Sequence, residues 1–148
     1  MATERVAPVV QEIYIDASPE TVFEFFVDAD KLTRWLAVEA TSDPRPGGIC
    51  VQVHETGDQL GPCTMRGEFL VVDRPTRVVF TWGFVEARIG IPLGSSTVEV
   101  TLRSENNGTQ VRLVHRDLSA AETENHSKGW GEMLQRLAHA ISSGAAGN

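Results

Sequence analysis

Residues 119–141 read SAAETENHSKGWGEMLQRLAHAI, and the reading of this stretch decides the fold. Trp130, Met133, Leu134, Leu137 and Ile141 stand at offsets 0, 3, 4, 7 and 11, the apolar stripe of an amphipathic helix. At ~1.5 Å per residue the rod is roughly 30 Å long, enough to cross a small domain. Continued toward the N-terminus, the stripe meets His126 and Thr123, so its first half turns polar while keeping the inward phase. Gly129 and Gly131 flank Trp130, although each costs a helix interior about 1 kcal/mol relative to alanine. A helix that only filled a core would rarely be written so. The stretch is read as lying over a cavity.

The totals fit that picture. A chain of 148 residues with 41% hydrophobic content supports one domain with a proper core. The net charge of -7, with no Lys/Arg cluster, argues against nucleic acid or an anionic membrane as partner. No apolar run approaches the ~20 residues of a membrane helix, and the first eight residues lack the apolar core of a signal peptide. Two cysteines, Cys50 and Cys63, suit reduced thiols in the cytoplasm better than a disulfide framework. The expectation is a cytoplasmic single domain, with a core over 9–141 and loose ends at 1–7 and 142–148.

Working back along the chain, 9–15 is apolar and β-branched, a strand. Ser18, Pro19 and Glu20 then form a helix start: a cap, a preset first φ and an anion at the positive end of the dipole. Val22, Phe23, Phe25, Phe26 and Val27 give that helix its apolar side to about Ala29. Asp30 is expected to cap a second short helix, 31–36, carrying Leu32, Trp35 and Leu36. From Val38 the period becomes two. Ile49, Val51 and Val53 alternate with Cys50, Gln52 and His54 after a turn at 44–48. Met65, Gly67, Phe69 and Val71 share one face, and Val78, Phe80, Trp82 and Phe84 another. Val98, Val100 and Leu102 point inward, as do Val111, Leu113 and His115. Asn106-Asn107-Gly108 between these last two strands signals a two-residue hairpin, because type I′ turns need positive φ at both centres. Strand, two short helices, about six strands and a long helix, joined by short loops, predict an α+β architecture: an antiparallel meander with helices on one face.

Several of these pieces together resemble a known pattern. They are Ile15-x-Ala17-x-Pro19-Glu20-x-Val22-Phe23, Leu32-x-x-Trp35-Leu36 and Arg45-Pro46-Gly47-Gly48. Next come Asp73-Arg74-Pro75 before Val79-Phe80-Thr81-Trp82, then Ser96-Thr97-Val98-x-Val100-Thr101-Leu102 before Gly108-Thr109. His126-x-x-Gly129-Trp130-x-x-x-Leu134-x-x-Leu137 closes the series. In this order they resemble the heat-shock-protein ATPase activator homology (AHSA) family of the START-like (SRPBCC) superfamily, over about 9–141. The resemblance implies a helix-grip fold, a curved antiparallel sheet around the C-terminal helix, with a cavity that binds apolar small molecules in many members. It places Gly129 and Gly131 where close packing at the cavity is expected. It does not transfer a chaperone role.

The expected lining of that cavity is Trp35, Met65, Trp82, Phe84, His115, His126 and Trp130. The three tryptophans fall on inward faces, where they serve either plain packing or a cavity whose polar atoms satisfy the indole N–H groups. His115 holds the inward phase after Leu113. It is either a ligand-bonding or proton-transferring group, or a core histidine satisfied by a carbonyl or by His126. His126 carries the same two readings, and exposure as a third. Cys50, His54, Cys63 and His115 bear zinc-binding atoms without metal-site spacing, so neither metal nor cofactor is expected. Residues 83–95 alternate Ile89, Ile91 and Leu93 with Gly90, Pro92 and Gly94. They read as a gate, a homodimer contact or a loop folded on its own core. The leading functional expectation is binding of an apolar small molecule, lipid-like or aromatic. The alternatives are a cavity enzyme of cyclase, dehydratase or hydrolase type with His115 as general acid/base, and a chaperone- or protein-interaction module.

Overall fold

The computed structural model describes residues 7–55 and 60–146, which form β1 (Val9–Ile15), α1 (Pro19–Val27), α2 (Ala29–Leu32), β2 (Glu39–Ser42), β3 (Ile49–His54), β4 (Cys63–Asp73), β5 (Arg77–Trp82), a 3-10 turn (Ala87–Ile89), β6 (Ser96–Glu105), β7 (Gly108–Arg116) and α3 (Ala120–Ala146). The strands make one antiparallel sheet in the order β1-β7-β6-β5-β4-β3-β2. After β1 the chain crosses through α1 and α2 to the far edge, then meanders back until β7 lies beside β1. The result is the curved sheet and long terminal helix of the helix-grip fold. Among the described residues no helix is long and apolar enough to cross a membrane.

Local chemistry explains the elements. The Ser18 side chain accepts the Thr21 N–H and Pro19 opens α1, as its start signal requires. The expected second cap is corrected. Asp28, not Asp30, accepts the Lys31 N–H at 3.0 Å, and α2 ends at Leu32 before turns carry the chain on to Leu36. Asn106 and Asn107 take φ of 48° and 67°, so the hairpin centre is Asn-Asn and Glu105 pairs with Gly108. Gly108 is needed for room, since a Cβ there would stand 2.3 Å from the Tyr14 hydroxyl. In β4 the register slips between Phe69 and Val71, a bulge of the kind that bends a strand.

The core lies inside the curve. Phe23, Phe26, Phe69, Phe80, Val98, Val100, Leu102, Val111 and Leu113 meet Leu134, Leu137 and Ile141 of α3 there. Each large apolar side chain so buried contributes ~1.5–3 kcal/mol. The structure gives the β3 alternation its sense, and one expectation changes. In β3 the buried face is Cys50 and Gln52, while Ile49, Val51 and Val53 stay partly exposed. Residues 142–146, expected to be loose, continue α3 to Ala146. Residues 1–6 of the other expected loose end lie outside the described ones.

Candidate functional site

Between the N-terminal half of α3 and the sheet lies a cavity of about 520 Å³. Trp82 and Phe84 reach it from β5 and the chain just beyond, His54 and Glu55 from the end of β3, and Cys63 from the start of β4. Leu36 closes it from the turn after α2 and Ile89 from the 3-10 turn. From α3 come Asn125, His126, Gly129, Trp130 and Met133. The inner end is aromatic: the Trp82 ring lies 5.1 Å from Trp130, 5.6 Å from His54 and 5.8 Å from Phe84. Glu55 and Asn125 are exposed, so the other end opens to solvent. The size falls within the ~300–1,000 Å³ of small-molecule sites.

Behind this wall runs a closed chain of hydrogen bonds. Trp130 Nε1–H donates to His115 Nδ1 at 3.0 Å, which leaves the proton of the neutral ring on Nε2. His115 Nε2–H donates to Ser96 Oγ at 2.9 Å, and Ser96 Oγ–H donates to the Trp82 carbonyl at 2.6 Å. The imidazole is fully buried and both nitrogens are engaged. Burial, then the proximity of His126, pushes its pKa down to about 3. This side chain builds the wall and does not line the cavity. Its general acid/base reading finds no free nitrogen to act through.

His126 and His54 face the cavity itself. His126 Nδ1 lies 3.0 Å from the Glu122 carbonyl, to which it donates, and 3.6 Å from the Glu122 carboxylate. Its Nε2 therefore carries the lone pair. His54 Nε2–H donates to Gln52 Oε1 at 2.9 Å, leaving Nδ1 as acceptor. Burial and the proximity of His126 lower the His54 pKa to about 4. Burial also lowers that of His126, against the opposing pull of the Glu122 carbonyl and carboxylate. His115 and His126 touch edge to face at 5.3 Å without a hydrogen bond between them. The indole N–H of Trp82, buried in the wall, meets no acceptor.

Of the seven expected lining residues, Trp82, Phe84, His126 and Trp130 line the cavity, and His115, Met65 and Trp35 do not. Met65 is fully buried on β4, and Trp35 donates its N–H to the Phe25 carbonyl at 2.9 Å, locking α1 to the turn after α2. Sequence reasoning missed His54, Glu55, Cys63, Leu36, Asn125 and Met133 as lining. The cross-strand partnership of His54 and Cys63 carries the missing signal, but only once the β3–β4 register is known. The glycine expectation is overturned. A Cβ on Gly129 would meet nothing within 4 Å, and one on Gly131 would reach only the Gln11 side chain at 3.5 Å. Gly129 thus contributes space, not close packing. Residues 83–95 are tied to the 61–64 segment, with Glu86 accepting the Thr64 N–H at 2.7 Å and Arg88 donating to the Gly61 and Pro62 carbonyls; Ile91 is buried while Val85 and Leu93 are exposed.

Sheet, helix and the hollow between them define a START-like helix-grip domain. Its sequence matches, over residues 16–142, the family described as activator of Hsp90 ATPase homolog 1-like protein. The chain belongs to that family. A comparison with curated proteins finds no match. Among solved structures it is similar to protein CV1439 from Chromobacterium violaceum, with a TM-score of 0.80 and 22% identity over 92% of this chain and 98% of that one. It is similar to CalU16 from Micromonospora echinospora, with a TM-score of 0.72 and 25% identity over 96% and 87%. The AHSA1-like protein from Aeromonas hydrophila is similar at a TM-score of 0.74 and 20% identity over 93% and 94%.

Proposed function

We propose that this protein binds an apolar small molecule, aromatic or lipid-like, between the sheet and the N-terminal half of α3. The observation that carries the reading is the cavity of about 520 Å³, whose inner end is built from Trp82, Phe84 and Trp130. Folding normally closes apolar space, because each side chain facing a void forfeits dispersion contacts. A hollow of this size kept open by a helical glycine is a feature the fold retains at a cost. The family supports the same reading, since its fold commonly holds hydrophobic ligands. Titration with the neutral dye N-phenyl-1-naphthylamine tests it. Saturable uptake with matched quenching of tryptophan emission is expected, and a linear, non-saturating signal would sink the proposal.

A further inference from the structure

We infer that the cavity selects uncharged apolar molecules whose polar end is a hydroxyl, a phenol or an alcohol, held by O–H donation to His126 Nε2; this rests on the cavity being the ligand site proposed above. The first support is charge. Among the described residues no lysine or arginine lines the cavity, and its one formal charge is the Glu55 carboxylate at the open end. A carboxylate or phosphate would leave water with no countercharge inside, where an unpaired ion is costly.

The second support is hydrogen-bond polarity. His115 and Trp130 satisfy one another, so neither is offered to an occupant. The nitrogens that are offered, His126 Nε2 and His54 Nδ1, are both acceptors, because the proton of each neutral ring is committed elsewhere. An occupant that uses them must donate. The Trp82 Nε1–H meets no acceptor among the described residues, but the nitrogen is itself shut off from the hollow and offers an occupant nothing. A hydroxyl donates its one proton to a single one of these imidazole lone pairs, and it carries no charge into the hollow. A ketone or ether lacks the donor, and a carboxylate brings the charge.

Three probes of one shape test the inference: naphthalene, 2-naphthol and 2-naphthoate, which is ionised at neutral pH. Competition against N-phenyl-1-naphthylamine ranks their affinities in the wild type and in His126→Phe. In the wild type 2-naphthol should bind about 2- to 10-fold more tightly than naphthalene, the net worth of one hydrogen bond, and 2-naphthoate more weakly than either. In His126→Phe the naphthol advantage should vanish while naphthalene still binds. Should 2-naphthoate match 2-naphthol, or the advantage survive in the variant, the inference is overturned. The wild-type ranking decides the matter even if the variant does not fold. If naphthalene binds and 2-naphthol gains nothing, this inference alone fails. If naphthalene itself does not bind, the cavity reading fails and takes the inference with it.

Discussion

Gly129 offers the sharpest perturbation, because it separates the cavity from the stability of the helix around it. It sits well inside α3, and a glycine in a helix interior costs about 1 kcal/mol relative to alanine. Its missing Cβ would meet nothing within 4 Å and would point into the hollow. Gly129→Ala should therefore stabilise the fold by up to ~1 kcal/mol, a rise of about 2–4 °C in melting temperature for a chain of this size. Gly129→Leu should keep that gain, since leucine is nearly as good a helix former, while filling part of the cavity with its side chain. Uptake of N-phenyl-1-naphthylamine should then fall at least about tenfold, a loss of roughly 1.4 kcal/mol. Gly131→Ala is the control. It makes the same helical gain, its Cβ reaching Gln11 only at ordinary contact distance, and it lies outside the lining. Thermal melts and dye titrations of the three variants form the assay. If Gly129→Leu binds dye as the wild type does, the cavity is not the binding site. If Gly129→Ala melts lower than the wild type, the space beside Gly129 is not open and the geometry is wrong.

Three further outcomes follow from the same wall. Trp130→Phe removes the donor to His115 Nδ1 and leaves a buried acceptor unpaired, which should cost ~1–3 kcal/mol; an unchanged melting temperature would show that the bond contributes nothing. Stability should also fall as the solution is acidified from about pH 6.5 toward 4. His54 and His115 have folded pKa values near 4 and 3, below the unfolded 6.5, so in that window the unfolded chain binds protons the native state refuses. Their contribution is whole above pH 6.5 and lost on the way down, so a melting temperature flat from pH 7 to 5 would contradict it. Finally, Cys63 lines the cavity and Cys50 does not, and burial raises the Cys50 thiol pKa. A maleimide should modify Cys63 first and be slowed by bound dye; equal rates at both thiols would count against access through the cavity.

Much of the architecture was legible because it rests on periods and turns. The alternation of Val98, Val100 and Leu102 against Val111, Leu113 and His115, joined at Asn106-Asn107, needed only backbone rules. So did the stripe of Trp130, Leu134, Leu137 and Ile141. The site was less legible for a different reason. In β3 the valines advertise an inward face, yet Gln52 takes it, because Cys50 and His54 on the same face supply its partners. A polar residue satisfied by its own strand neighbours defeats a rule that ranks faces by hydrophobicity. His115 was placed on the correct face, but its fate depended on Ser96 and on an indole from another element. Ser96 shares the inward phase of Val98, so half of that answer lay in the strand pattern. The Trp130 half required the crossing of α3. Nor does any pattern reveal whether a helical glycine faces contact or emptiness.

The long helix divides its labour along its length, and that division explains its composition. From Leu134 to Ile141 the inward residues are wholly apolar and buried, and they hold the helix to the sheet. From His126 to Met133 the inward residues are a neutral imidazole, a glycine, a tryptophan pinned by a hydrogen bond, and a methionine that can adapt its shape. The first part of this segment lacks the packing that would fix it, so the rest of the helix must supply the stability. The helix itself runs on to Ala146, beyond the apolar stripe. Truncating side chains at Leu134 or Leu137 should accordingly lower stability by ~2–5 kcal/mol each. Changes at His126 and Gly129 should move ligand preference with far smaller effect on the fold. A helix built only as a lid would show both effects mixed along its whole length. Here the same stripe of the sequence changes its task within a single turn, between Trp130 and Leu134.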